Sequence, residues 1–302
     1  MLTDQDWERL ADQLRSGKCT PFLGAGACHG RIKVASEISR ELAREHGYPF
    51  ADRHDLARVM RYVSVRNGDP VFVKEKFVRE YFTDLPSPDF SSPGEPHAAL
   101  AKFPIPMYLT TNYDDFMARA LREAGRSPRV LSSPWYAGAP YSAEDFDPPA
   151  TGTDVASPIV YHLHGVATMP ESLVLTEDDY IQFLIALAEE RHREYVSGRA
   201  VLIPPIVQEV LSRTSLLFIG YSLQDWNFQV LLHGILRELP PTHRRRHVSV
   251  QLLPVGRNAS AEERRRATDY LDEYFGDLKI SVYWGTARDF FIELDRKMGG
   301  SP

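Results

Sequence analysis

The chain has 302 residues, 43% hydrophobic and 25% charged, an ordinary balance for one large globular domain or two small ones. A net charge of −6 excludes a protein built to coat nucleic acid, which needs a basic surface, and no apolar run approaches the roughly 20 residues that span a bilayer. The acidic start Met1-Leu2-Thr3-Asp4-Gln5-Asp6 lacks a signal-peptide pattern, and Cys19 and Cys28 are the only cysteines; a reduced cytoplasmic setting is expected, and a four-cysteine zinc site cannot form.

Trp7, Leu10, Ala11 and Leu14 recur at helical spacing and predict an amphipathic helix over 4–16. The apolar pair Phe22-Leu23 then runs into Gly24-Ala25-Gly26, and Ala35, Ile38 and Leu42 mark a helix over 31–46, ended by Gly47 and Pro49. Strand, glycine turn and helix form the unit that cradles a phosphate: the glycines let the backbone approach the anion, and a helix N-terminus offers N–H groups and a favourable dipole. Residues 53–82 predict two helices broken at Asn67-Gly68-Asp69-Pro70, and the proline-rich stretch 84–96 predicts a loop.

Met107-Tyr108-Leu109-Thr110 predicts a second strand, leading into Thr111-Asn112-Tyr113-Asp114-Asp115 and a helix with Phe116, Ala120 and Ala124 on one side. Either aspartate also suits the cap of that helix. Residues 132–158, rich in Pro, Gly, Ser and Asp, predict a long surface loop. A third strand, 159–163, ends at His164-Gly165, and Thr176 with Asp179 opens a helix over 176–197. Leu216–Ile219 is a fourth strand, followed by Gly220-Tyr221-Ser222-Leu223-Gln224-Asp225 and an apolar helix carrying Phe228, Leu231, Leu232 and Ile235. The basic cluster 242–247 reads as a solvated turn. Strands at 248–255 and 278–283 frame a helix at 260–275, and a last helix carries Phe290, Leu294 and Met298.

Short apolar strands alternating with helices call for an α/β fold, a doubly wound (Rossmann-like) parallel sheet with helical insertions at about 50–106 and 176–212, all within one domain over 1–302. Four polar or glycine-rich clusters fall at strand ends: Gly24-Ala25-Gly26, Thr111-Asn112-Tyr113-Asp114, His164-Gly165 and Gly220-Tyr221-Ser222. In a parallel sheet these ends share one edge, so the four clusters converge on one crevice. Two other chemistries remain in view. Ser222 lies between a strand and a helix as a hydrolase nucleophile does, but Gln224 stands where that elbow wants glycine, and only His233, His243 and His247 follow it. His162 and His164 share a strand face, but no third metal ligand is evident, so no metal is expected.

In order and wording these clusters resemble the sirtuin superfamily. They are most similar to the bacterial sirtuin-like domains that hydrolyse NAD in anti-phage defence. The likeness rests on Tyr108–Asp115, on Tyr161–Gly165 with Val174–Tyr180, and on Phe218–Asp225, and runs from about residue 15 to about residue 295. It implies a Rossmann-type domain with NAD as substrate. By resemblance His164 is the base, an imidazole near its ordinary pKa of about 6.5. Asn112 orients water and ribose, and Asp114 holds the surrounding hydrogen bonds. Gly24, Ala25 and Gly26 receive the pyrophosphate, Gly220 and Ser222 contact the adenosine half, and Thr111 is a further NAD-binding residue. The chain departs from deacylating sirtuins at Ala27-Cys28-His29-Gly30-Arg31-Ile32-Lys33 and lacks their two cysteine pairs, so a zinc-supported protein deacylase is not expected. The alternative from another class is a module that binds NAD or an ADP-ribose-like ligand without turnover. Because the domain takes up nearly the whole chain, control in trans is expected, by homo-oligomerisation or a separate defence partner such as an ATPase. The insertions and the 132–158 loop, with Phe72, Phe77, Tyr81 and Phe82, would serve as assembly surfaces.

Overall fold

The fold is that of a computed structural model, which describes residues 2–28, 30–136, 139, 155–190, 202–221, 229, 245–256 and 258–299. Seven strands are seen among these residues: β1 (Cys19–Leu23), β2 (Met107–Thr110), β3 (Arg129–Ser132), β4 (Ile159–His162), β5 (Ser215–Ile219), β6 (His247–Gln251) and β7 (Ile280–Trp284). They form one sheet in the order β3-β4-β2-β1-β5-β6-β7, and every pairing is parallel.

The central strands are apolar on both faces, as a sheet covered by helices on both sides requires. Phe22, Leu109, Tyr161, Leu216 and Phe218 point to one face, where they pack with α7 (Glu177–Glu190), α8 (Pro205–Arg213) and α9 (Ala261–Asp277). Leu23, Tyr108, Val160, Leu217 and Ile219 point to the other. There they meet α1 (Asp4–Arg15), α5 (Pro96–Ala101), α6 (Phe116–Glu123) and α10 (Ala287–Lys297). The period-two alternation within each strand thus feeds two cores.

Three further helices, α2 (Ala35–Glu45), α3 (Leu56–Asn67) and α4 (Pro70–Tyr81), build a satellite core of their own around Leu42, Val59, Met60, Val73 and Phe77. The break between α3 and α4 is made as the sequence predicts. Gly68 closes α3 at φ +80°, and Asp69 caps α4 ahead of Pro70. Lys74 ties this unit to the segments that follow β3 and β4. Its buried ammonium donates to Leu173 O (2.7 Å) and Asp179 (2.9 Å) and lies 5.3 Å from the Trp135 ring. Of the four aromatics expected to form an assembly surface, Phe77 is buried and Tyr81 and Phe82 pack half-buried against the satellite core; only Phe72 is exposed. Their spacing serves a local core before it serves any partner.

Several elements differ from expectation. The glycine turn opens onto a one-turn 3₁₀ helix, Ala25–Cys28, and α2 starts only at Ala35, where the Glu37 side chain reaches back to Val34 N. β3 lies where loop was expected to begin. It is a half-buried edge strand of four residues, too short for a visible alternation. Helix α5 emerges from the proline-rich loop because Glu95 caps it and Pro96 occupies its first turn. β6 stops at Gln251, beyond which Leu252 is exposed. His247, grouped by sequence with a solvated basic turn, is buried in β6, where its Nδ1 accepts from Leu216 N (2.9 Å). Arg245 and Arg246 are exposed, while 242–244 and the helix expected from Phe228 lie outside the described residues. No described helix is long and apolar enough to cross a membrane.

Candidate functional site

β4, β2, β1 and β5 are neighbours in the sheet, so the four clusters predicted at strand ends emerge side by side at one edge. From β1 the chain passes to β2 on one side and later returns to β5 on the other. That reversal of strand order is where open parallel sheets hold ligands.

The β1 and β5 turns are locked together. Gly24 N donates to Ile219 O (2.8 Å) and Gly26 N to Gly220 O (3.0 Å). A Cβ on Gly26 would sit 2.6 Å from Gly220 Cα, and one on Gly220, at φ +77°, would sit 2.4 Å from Ala27 N. The glycines therefore serve the contact between two backbone turns, and not only the approach of an anion. They also leave fewer donors than expected: Gly24, Gly26 and Ala27 spend their N–H groups on protein carbonyls, whereas that of the exposed Ala25 has no protein partner among the described residues. Tyr221 closes the junction. Its hydroxyl donates to Leu23 O (2.7 Å) and receives the Thr111 hydroxyl (2.9 Å). Ser222 lies outside the described residues.

Asn112 is held from three directions. Its backbone N–H donates to Thr110 Oγ1 (2.9 Å), and its backbone carbonyl accepts from His162 Nδ1 (2.9 Å). Its amide Nδ2 donates to Gly24 O (3.1 Å) and to the Cys28 sulfur (3.2 Å). With both amide hydrogens spent inward, Oδ1 is the side-chain atom left without a partner among the described residues. His162 thus carries its proton on Nδ1, and its Nε2 is buried without a partner among the described residues. Burial holds its pKa below the usual histidine range.

Asp114 is buried and its Oδ1 accepts from the N–H of Phe116 (3.0 Å), the first residue of α6, while Asp115 holds the N-cap position without a side-chain cap bond. Asp114 Oδ2 accepts the Cys28 thiol proton (3.3 Å). Behind Cys28 lies His97 Nε2 at 3.9 Å, and His97 Nδ1 donates to Glu95 Oε1 (2.7 Å). Cys28, His97 and Glu95 were missed as a group. They stand on separate segments, and nothing in their linear spacing joins them. Burial, then the Asp114 carboxylate, push the Cys28 thiol well above its ordinary value, so it stays protonated.

His164 is different. Its imidazole stands nearly perpendicular to the rings of Tyr180 and Phe183, with centroids 5.4 and 5.0 Å away, and makes no side-chain hydrogen bond among the described residues. Burial drives its pKa down to about 3, which corrects the expectation of an ordinary imidazole near 6.5. The ring is neutral at any physiological pH. Its backbone is pinned by Val174 N on the carbonyl (2.9 Å), and Val174 O in turn accepts the Tyr113 hydroxyl (2.6 Å).

The profile of the SIR2-like domain family matches residues 106–276, more than half of the chain, including the strand ends that carry Asn112, His164 and Gly220. The chain belongs to the SIR2-like domain family. It is also similar to curated proteins named NAD(+) hydrolase ThsA. It is 26% identical to the Enterococcus faecium protein over 240 residues, covering 78% of this chain and 44% of that one. It is 26% identical to the protein of Acinetobacter baumannii (strain 532279) over 231 residues, 76% of this chain and 41% of that one. The protein of Bacillus cereus (strain MSX-D12) gives 26% over 228 residues, 75% and 41%. The chain spans less than half the length of these relatives.

Proposed function

We propose that this SIR2-like domain hydrolyses NAD at the nicotinamide–ribose bond and acts as an NAD-depleting effector of bacterial anti-phage defence. The observation that carries this reading is the juxtaposition of Asn112 and His164 on adjacent strand ends beside the Gly24–Gly26 turn. The relatives' names supply the substrate.

The chemistry asks little of a base. Nicotinamide leaves as a neutral ring, taking the bond's electron pair with it, so departure needs no proton donor. Positive charge then develops on the ribose, as in glycoside hydrolysis. Water adds to the anomeric carbon and gives up one proton. A neutral His164 with a free lone pair orients that water or a ribose hydroxyl and accepts the proton. Its weak basicity suffices because the oxocarbenium centre, rather than a strong nucleophile, drives addition. Asn112 Oδ1 holds the ribose or the water. Asp114 and Cys28 keep Asn112 in place. Ala25 N–H faces the pyrophosphate with Gly24, Gly26 and Thr111 shaping its floor, and Gly220 with Ser222 borders the adenosine. The domain is read as one unit over 1–302, working in the cytoplasm without a four-thiolate zinc site, as a homo-oligomer or with a separate partner.

Purified protein incubated with NAD should release nicotinamide. His164→Ala and Asn112→Ala should each lower the rate by about 10²- to 10⁴-fold while circular dichroism stays unchanged. Full activity in either variant removes that residue from the mechanism. The low basicity of His164 also favours a second reading, a sensor that binds NAD without cleaving it. Saturable NAD binding with no nicotinamide release would select that reading.

A further inference from the structure

Three side chains from three segments converge beside Asn112. Cys28 closes the 3₁₀ turn after β1, His97 lies in α5, and Asp114 sits in the β2–α6 connection. All three are buried, and one potential ligand atom from each lies within 4.8 Å of the other two. Sulfur to Asp114 Oδ2 is 3.3 Å and sulfur to His97 Nε2 is 3.9 Å. Ligand atoms around a tetrahedral zinc ion, with bonds of about 2.0–2.3 Å, lie about 3.3–3.8 Å apart.

The surroundings treat each residue as a ligand is normally treated. His97 gives its Nδ1 proton to Glu95 (2.7 Å), which fixes the tautomer and leaves Nε2 with its lone pair toward the cluster. That carboxylate–histidine pair is the usual outer-shell partner of a metal-bound imidazole. Glu95 is itself fixed by Ala98 N on its other oxygen (2.6 Å). Asp114 has Oδ1 tied to Phe116 N, leaving Oδ2 for the common point. The sulfur receives an N–H from Asn112 Nδ2, as thiolate ligands do. Neither Glu95 nor Asp114 is paired with a lysine or arginine among the described residues.

We propose that Cys28, His97 and Asp114 form a binding site for a zinc-class divalent cation, with Glu95 as the outer-shell partner of His97. One soft sulfur, one imidazole nitrogen and one carboxylate oxygen suit zinc and exclude magnesium and calcium, which want oxygen alone. Binding replaces the thiol proton, which passes to solvent, by a metal–sulfur bond. This site differs from the four-thiolate zinc site that the cysteine count excludes. Three protein ligands also match zinc sites that keep a fourth position open. The ion would clamp together the β1 turn, α5 and the β2–α6 connection, two of which carry the strand-end site.

The test needs no NAD. The full chain, stripped with a chelator, is titrated with Co²⁺, and absorbance is followed from the near ultraviolet to the visible. One equivalent should bind with a thiolate-to-cobalt band, and Zn²⁺ should displace it. Cys28→Ser should abolish that band, while Cys19→Ser, which removes the other thiol, should keep it. Glu95→Gln should weaken binding by about 10- to 100-fold. Failure of the wild-type chain to take up cobalt or zinc stoichiometrically would overturn the proposal and leave Cys28 as a hydrogen-bonded thiol. A thiolate band that survives in Cys28→Ser, or vanishes in Cys19→Ser, would overturn it equally.

Discussion

The two sides of β2 are built in opposite ways. Toward β1 and β5, nearly every polar atom is spent: Leu23 O alone accepts from the Thr110 and Tyr221 hydroxyls and from Thr111 N. Toward β4, the His164 ring lies nearly perpendicular to two aromatic rings without a hydrogen bond to either nitrogen among the described residues. The first side is a rigid frame that fixes backbone positions. The second keeps, among the described residues, an unspent lone pair beside aromatic rings. A site needs both, because a reactive atom works only where its neighbours cannot shift to satisfy it.

The harshest way to break the frame is at Gly220. Its left-handed backbone and the 2.4–2.6 Å approach to Gly26 and Ala27 leave no space for a side chain. Gly220→Val should cost about 3 kcal/mol or more and lower the thermal midpoint sharply or abolish soluble expression. Gly26→Val should behave the same way, so loss of NAD binding in that variant would reflect the frame and not the phosphate. A Gly220→Val protein with an unchanged melting midpoint would mean that the two turns are not packed as described.

Acid sharpens the contrast from the other side. His164 and His247 have folded pKa values of about 3 and about 4, both set chiefly by burial, against an ordinary 6.5. The unfolded chain therefore binds more protons than the folded one below pH 6.5, and stability falls as pH drops. At pH 5 each of the two contributes a loss of roughly 2 kcal/mol. The urea midpoint should drop clearly between pH 7 and pH 5, and less so in His164→Gln. Turnover should follow a different course. If His164 acts as the neutral form, kcat/KM for NAD shows no acid limb near 6.5 wherever the protein remains folded. A limb at that pH would mean that the imidazole is solvated in the working enzyme.

These contrasts mark what could be read in advance. The strand ends were legible because a parallel sheet turns four distant clusters into neighbours, and short continuous apolar runs located β1, β2, β4 and β5. β3 escaped notice because its four half-buried residues, Arg129-Val130-Leu131-Ser132, form no apolar run beyond two residues. Helix α5 did so because its start is written in Glu95-Pro96, inside a stretch that reads as loop. His247 was misplaced because its arginine neighbours set the apparent polarity of the segment, while its ring answers to the depth of β6. The Cys28–His97–Asp114 group was invisible because its members stand far apart in sequence and meet only where the β1 turn, α5 and the β2–α6 connection come together. The pKa of His164 was misjudged because the residues that bury it, Tyr180 and Phe183, come from α7, beyond the strand that bears it.

The smallest expected effect tests the seam between the two sides. Tyr221→Phe removes one hydroxyl and keeps the ring, which packs against Phe22 with centroids 5.3 Å apart. Leu23 O retains two other donors, so no buried carbonyl is orphaned. The loss should be about 0.5–1.5 kcal/mol, the net worth of an ordinary hydrogen bond. The Thr111 hydroxyl, however, loses its partner at the edge of the crevice. In the proposed enzyme that freed hydroxyl changes the floor beneath the pyrophosphate, so KM for NAD should shift while kcat, which depends on Asn112 and His164, stays near its parent value. Thr111→Val, which removes the other half of the same bond, should move KM in the same variant-by-variant comparison without adding to the Tyr221→Phe effect. Additive effects of the two substitutions would place Thr111 and Tyr221 in separate roles, and a change confined to kcat would put this seam in the chemistry itself.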